Sequence, residues 1–470
     1  MKTGCAAREA RGTLRPLLSA PPASGTPPPC LLTMPTYGGT LAAVRALGAA
    51  GVRVTVAGSE LLAPARWSRH VHRFVRCPPP RKLEAFYEWL LRFGEREPGH
   101  FLYPTSDDLA WLFASRAAEL GKHFLLFQPP LGTVVEVLDK KRLHTACAEV
   151  GLPTLPTWFP SGLDEVKRLA GELILPLVIK PRTQVRLSTG NHGRIVGSPE
   201  ELVESYRQWL LHDRYLPGPE KDFGDLTAPM LQAFVPVPRD GGVYSISGFI
   251  DRSGELVGAR AARKVLQRPR RVGVGLCFEA AGVDDEALAG IVRLCRRVGY
   301  FGVFEVEFVS DQGRHRLIDF NPRYYGQMHF ECARGLPLPL LAYRAARGEP
   351  PMPPARGPLE NGGKDAYAFR FGHVFMLMLR LLLGTSEDEE SLHWRHWYAA
   401  HGERRVDASF DPQDRLPGLV HATAEVWQAL RFARGYYRNF VRDEQPPPER
   451  LTRSLPAAPV PPPAPRDLPG

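Results

Sequence analysis

The sequence predicts an α/β lobe, then a larger α+β body, then a helical C-terminal extension, and three observations carry that prediction. First, CLLTMPTYGGTLAAVRALGAAGVRVTVAGS (30–59) reads as strand, glycine turn, amphipathic helix and strand, a βαβ opening. Second, alternating apolar runs at 303–309 and 315–320 flank an Asp-Gln-Gly turn, the pattern of a β-hairpin. Third, 470 residues with 44% hydrophobic and 23% charged content fit a globular chain too long for one average core.

Five segments follow from composition: a disordered 1–29 rich in Ala, Arg and Pro, a Rossmann-like lobe over 30–130, a body over 131–350, a helical region over 351–444, and a disordered proline-rich tail over 445–470. The net charge of +10 does not indicate nucleic acid. Only ten of the 60 basic residues are lysine, and the arginines are spread among Ala, Pro and Leu rather than gathered in a stripe. Seven scattered cysteines without CxxC spacing read as reduced thiols in a cytoplasmic protein. No apolar run reaches the 18 or so residues of a membrane span, and the nearest, 374–383, is interrupted by Arg380.

In the first lobe, Tyr37-Gly38-Gly39 lacks dinucleotide-fingerprint spacing, so a structural turn is the expected role. Thr105 or Ser106 caps the next helix, whose first turn carries Asp107 and Asp108, and Asp107 sits where cleft-lining loops of open α/β sheets lie. Asp139 and Lys140 open a helix running to about 150, closed by Gly151. Lys141 is as plausible an inward-facing lysine as Lys140. LILPLVIKPR (173–182) is a buried-type strand whose terminal Lys180 can extend a compact charge into a cleft. APMLQAFVPVPR (228–239) is an apolar strand entering a proline-rich connector, and two further strands joined by Arg252-Ser253-Gly254 end at Lys264. A basic edge strand that discourages aggregation also accounts for Lys264. DDEALAGIVRLCRRVGYFG (284–302) is an amphipathic helix stopped by Gly299, leading into the hairpin.

The hairpin carries acids where a strand buries its residues. Glu307 lies between Val306 and Phe308, Asp319 between Ile318 and Phe320, and Asn321 and Arg323 share the Asp319 face by period two. Three oxygen donors on neighbouring strands suit Mg2+, and the arginine fork suits carboxylate or phosphate.

Glu307-Phe308, a turn, then Asp319-x-Asn321-x-Arg323 resembles the metal-binding hairpin of the ATP-grasp superfamily, in the form found in biotin carboxylase and in predicted carboxylate-amine ligases such as D-aspartate ligase. The resemblance covers about 30–345 in the family's order of motifs. It implies an ATP-grasp fold preceded by a Rossmann-like lobe, with ATP and Mg2+ (or Mn2+) as cofactors. Glu307, Asp319 and Asn321 then hold the metal, Lys140, Lys180 and Lys264 meet the phosphates, and the backbone of Gln232, Ala233, Phe234 and Val235 hydrogen-bonds adenine, with ring contacts from the apolar side chains. Arg323 and Lys264 then serve the reacting groups, and Tyr324 to Gln327 lie beside them. Asp319 replaces the commoner Glu, and only Gly190 and Gly193 remain of the glycine-rich loop, with His192 as a loop residue. The implied activity is amide formation: a small carboxylic acid is activated as an acyl phosphate and captured by an amine, amino acids among the candidates. Bicarbonate activation and a non-catalytic ATP-binding scaffold are the alternatives. A homodimer is implied by analogy, and the apolar 374–383 helix is expected to pack on the body or a second subunit.

Overall fold

The computed structural model describes residues 27–189, 193–235, 243–268, 274–311, 313–350, 363–371 and 389–432, with single positions between 374 and 381. Gly190, His192, most of the apolar 374–383 segment, the 351–362 linker and the expected disordered stretches 1–26 and 445–470 lie outside the described residues. Residues 27–29, expected in the disordered segment, are tied down: the Pro28 carbonyl accepts from Tyr343 Oη at 2.6 Å and the Pro29 carbonyl from Phe101 N.

Five short strands, β1 (Cys30–Leu32), β2 (Val54–Gly58), β3 (Val71–Arg76), β4 (His100–Leu102) and β5 (Phe124–Leu126), form a parallel sheet in the order β3-β2-β1-β4-β5. β1 and β2 are buried throughout, which explains their apolar character, broken only by Thr55. The Gly38–Ala49 helix follows β1, and Ser106 caps Asp107–Ser115 by accepting from Leu109 N.

The body holds two antiparallel sheets. The smaller comprises β6 (Thr157–Trp158), β7 (Leu177–Lys180), β8 (Arg194–Val196) and β9 (Met230–Ala233), in the order β6-β9-β7-β8. Helices Leu163–Ala170 and Pro199–His212 cover it through Val166, Leu202 and Tyr206 packed on Leu177 and Leu231. The larger comprises β10 (Val243–Ile250), β11 (Leu256–Arg268), β12 (Val274–Ala281), β13 (Gly302–Asp311), β14 (Arg314–Asn321), β15 (Ala366–Ala368) and β16 (Arg405–Asp407). Its order is β14-β13-β10-β11-β12-β15-β16, and only the last pair is parallel. Helices Lys140–Glu149 and Asp285–Val298 back this sheet through Leu143, Cys147, Ile291 and Leu294. The second helix follows its sequence closely: Asp284 caps it by accepting from Ala287 N at 2.7 Å, and Gly299 ends it at φ 70°, where a side chain is disfavoured.

Two expectations are corrected here. Lys264 does not end its strand: β11 continues to Arg268 across an irregularity after Lys264 and pairs with β12, a strand the sequence reading passed over. β11 outlasts the apolar run because β12 supplies its ladder hydrogen bonds. The C-terminal extension is helical, as expected, over Glu389–His401 and Leu416–Arg431, yet it also adds β15 and β16 to the large sheet. Trp394 and Trp397 pack on Leu266 and Cys277, fastening the extension to the strands beside Lys264.

Asp414 fastens it a second time, to the first lobe. Buried with Arg45, it accepts from Arg45 Nε at 3.0 Å, Ser68 Oγ at 2.7 Å and Arg69 N at 2.8 Å. This holds the Leu416–Arg431 helix against the Pro64–Trp67 turn of the first lobe. Among the described residues all cysteines are free thiols, and no helix is long and apolar enough to cross a membrane.

Candidate active site

The two antiparallel sheets face one another across a cleft of about 510 Å3, with the strand ends of the parallel lobe closing one end. Register decides which hairpin residues enter it. Glu307 stands opposite Asp319 and Glu305 opposite Asn321, so one face of β13 and β14 presents four polar side chains together. Lys264, on β11 two strands away, bridges β10 and bonds Glu307 Oε1 at 2.7 Å. Burial works against its charge, but Glu307 outweighs that and raises the Lys264 pKa.

Lys140 is the inward member of its pair; Lys141 is exposed. The Lys140 ammonium meets the Asp319 carboxylate, whose pKa burial would raise but Lys140 and Lys180 hold down. Asp139 sets this geometry. Fully buried, it caps the helix by accepting from Lys141 N at 3.0 Å and receives two N–H groups of Arg182, while Lys140 N donates to the Arg182 carbonyl. The helix start and the chain just beyond β7 are thereby clamped together. That brings Lys140 and Lys180 into one cleft, although forty residues separate them.

Lys180 Nζ donates to Gln232 Oε1 at 3.0 Å, and Gln232 Nε2 donates to Thr157 Oγ1 at 3.2 Å. Gln232 therefore orients the lysine with its side chain. The resemblance had given it only a backbone place beside adenine. Burial, reinforced by the charge of Lys140, lowers the Lys180 ammonium to about 8. Ala233, Phe234 and Val235 line the cleft, but the Ala233 and Phe234 N–H groups are spent on the carbonyls of Pro156 and Pro176. What these residues offer a flat ring is chiefly apolar surface.

Arg323 is held on every side. Its Nε bonds Asp107 Oδ1 at 2.5 Å, Nη1 the Tyr37 hydroxyl at 3.0 Å, and Nη2 Asn321 Oδ1 at 2.7 Å. Burial opposes its charge, and Asp107 more than compensates. Arg323 so joins the hairpin to the first lobe and makes Tyr37 and Asp107 part of the cleft wall. The glycines after Tyr37 have a steric purpose: a Cβ on Gly38 would lie 2.8 Å from Gly326 O, and one on Gly39 2.7 Å from Tyr325 O. Tyr324, expected beside the reaction centre, is core instead, stacked on Tyr103 at 4.5 Å, because the chain turns it away from the cleft. Tyr325, Gly326 and Gln327 do line the cleft.

Sequence reasoning missed Glu305, which is 3% exposed and accepts from Asn321 Nδ2 at 2.8 Å and from the Gln327 amide. Burial and the neighbouring Glu307 push its carboxyl up to about 8. Period two counted back from Glu307 was the available signal. It also missed Phe369, His421 and Glu425, which line the cleft from the C-terminal extension and carry no motif.

The donor set suits a hard cation: Glu307, Asp319 and Asn321 present oxygens from adjacent strands. Among the described residues no three His, Cys, Asp or Glu side chains form a ready metal cluster, and Glu307 and Asp319 each face a lysine. Carboxylates neutralised by lysines are interchangeable with carboxylates on a cation and lysines on phosphates. The residues therefore fit Mg2+ arriving together with a nucleotide.

No protein-family model matches the chain. Over 282 residues it is 26% identical to the formate-dependent phosphoribosylglycinamide formyltransferase of Bifidobacterium longum (strain NCC 2705), a match covering 58% of this chain and 66% of that enzyme, just under two thirds of its length. Among solved structures, biotin carboxylase from Campylobacter jejuni in its β,γ-ATP complex superposes with TM-score 0.54 at 17% identity, over 68% of this chain and 71% of that one. The biotin carboxylase domain of Hydrogenobacter thermophilus 2-oxoglutarate carboxylase, solved with MgADP and bicarbonate, gives TM-score 0.54 at 20% identity, over 69% and 70%.

Proposed function

From the ATP-grasp fold of this chain we propose that it is a Mg-ATP-dependent ligase joining a small carboxylic acid to an amine. The observation that carries the reading is the facing of Glu307 and Asp319 across the hairpin, each matched to a lysine from a different part of the chain. A scaffold has no use for acids and amines kept desolvated in pairs, since burying them costs several kcal/mol unless each charge is answered.

Glu307, Asp319 and Asn321 would hold Mg2+, which when bound supplies charge neutralisation on the phosphate oxygens. Lys140, Lys180 and Lys264 meet the nucleotide phosphates and stabilise the charge that redistributes as the γ-phosphoryl moves to the substrate carboxylate. The product is an acyl phosphate, which the amine attacks to give an amide and inorganic phosphate. Ala233, Phe234 and Val235 supply the apolar seat for adenine. Arg323, anchored by Asp107 and Tyr37, presents a fixed positive field beside the reacting carbonyl without needing to move. The formate dependence of the Bifidobacterium relative and the bicarbonate in the Hydrogenobacter structure support a small acid as the first substrate.

The test is ADP release from Mg-ATP with pooled small carboxylic acids and amines, including amino acids. Turnover that requires both pools is the expected result. Tight Mg-ATP binding with no turnover in any pool would leave a scaffold.

Lys180 adds a pH signature. Its ammonium is protonated below about 8 and loses its charge above. A phosphate beside it favours the charged form, so nucleotide binding takes up a proton once the pH passes that value. Mg-ATP affinity should fall about tenfold between pH 7 and pH 9, and Lys180→Arg should flatten the dependence. Calorimetric titration at the two pH values checks this, and an equal slope in both proteins would refute the assignment.

A further inference from the structure

Lys140, Lys180 and Lys264 line the cleft, and the Leu416–Arg431 helix places His421 and Glu425 in the same cavity. The His421 ring is fixed. Its Nδ1 lies 2.9 Å from Ser409 Oγ, its Nε2 3.6 Å from Glu425 Oε1, and the Phe369 and Phe371 rings meet it edge-on at 6.1 Å. The helix is equally fixed, since the segment before it is anchored on the first lobe through Asp414 and Arg45, with Arg45 Nη2 also bonding the Ser409 carbonyl at 2.7 Å. Ser409 thus connects the anchor to the imidazole.

We propose that the His421–Glu425 pair is the acceptor subsite: it binds the primary amine and takes its proton during amide formation. The proposal rests on the ligase reading and adds to it the location of the second substrate. In the step, the amine nitrogen attacks the acyl carbon, and the C–N bond forms as the C–O bond to phosphate breaks. Inorganic phosphate leaves with the bonding electron pair, and the proton lost by nitrogen passes to the imidazole, whose new charge Glu425 opposes. A base is needed here because an alkylammonium has no free lone pair. Arg323 is committed to Asp107 and Asn321, and Glu305 to Asn321 and Gln327.

Hydroxylamine separates this step from the first. It is largely unprotonated at neutral pH, captures an acyl phosphate without a base, and leaves a hydroxamate that is read by colour with ferric ion. Wild-type protein, His421→Asn and Glu425→Gln are assayed with the acid pool and Mg-ATP, once with hydroxylamine and once with the amine pool. In His421→Asn, amine-dependent ADP release should fall about 10²-fold further than hydroxamate formation, the usual contribution of a general base. A smaller change in the same direction is expected for Glu425→Gln. Equal losses in the two assays, with Mg-ATP still raising the melting temperature, would make His421 a structural residue and overturn the proposal; no loss in either assay overturns it too. A wild-type protein that yields neither hydroxamate nor ADP refutes the ligase reading itself, a different outcome.

Discussion

Glu307→Gln lowers turnover by about 10³-fold or more while leaving the fold intact. The substitution keeps the shape of a side chain that is opposite Asp319 in the ladder, and Gln can still accept from Lys264 Nζ. What disappears is the negative charge. Without it, the proposed metal position loses its ligand on β13, and Lys264 loses the partner that holds its charge in a buried place. Losing one group of a preorganised electrostatic site costs 10²–10³ in kcat, and here two functions go together. The steady-state rate of ADP release, measured across a Mg2+ titration, checks this. A rate within threefold of wild type at every metal concentration would remove the hairpin from the mechanism.

Asp139→Ala destabilises the protein by about 3–5 kcal/mol, the cost of stranding a buried charge. Asp139 is wholly buried and answers two N–H groups of Arg182 as well as the first turn of the Lys140–Glu149 helix. Ala deletes both the pair and the cap, and the cap alone is worth about 1 kcal/mol. Asp139→Asn keeps a capping oxygen and should lose less. Urea denaturation followed by fluorescence gives the difference. The functional consequence is predicted to follow the structural one, because the same clamp delivers Lys140 to Asp319 and sets the chain beyond Lys180. A loss below about 1 kcal/mol in Asp139→Ala would mean that Arg182 finds another partner.

The hairpin was legible because a strand's two-residue period is strict. Once 303–309 and 315–320 were paired, Glu307, Asp319 and Asn321 had to share a face. Glu305 obeyed the same rule but was hidden by its own neighbourhood, where Phe304, Val306 and Phe308 made the run read as core. Helix boundaries at Asp139, Asp284 and Gly299 were legible through caps, which are local chemistry. β12 was not, since its stability comes from pairing with β11 and β15 rather than from its own pattern.

The sequence by itself determined the order of elements, the polar face of the metal hairpin and the lysines that could answer it, because these depend on periodicities and caps spanning a few residues. Only the tertiary structure decided which lysine turns inward, that Gln232 serves Lys180 with its side chain, that Arg323 is locked to Asp107 and Tyr37, and that His421 and Glu425 reach the cleft. Those contacts join residues 52 to more than 200 positions apart, or bring in a helix fastened through Asp414 to the opposite end of the chain. No local pattern encodes them, because their energy comes from burying charges that find partners only when distant segments meet.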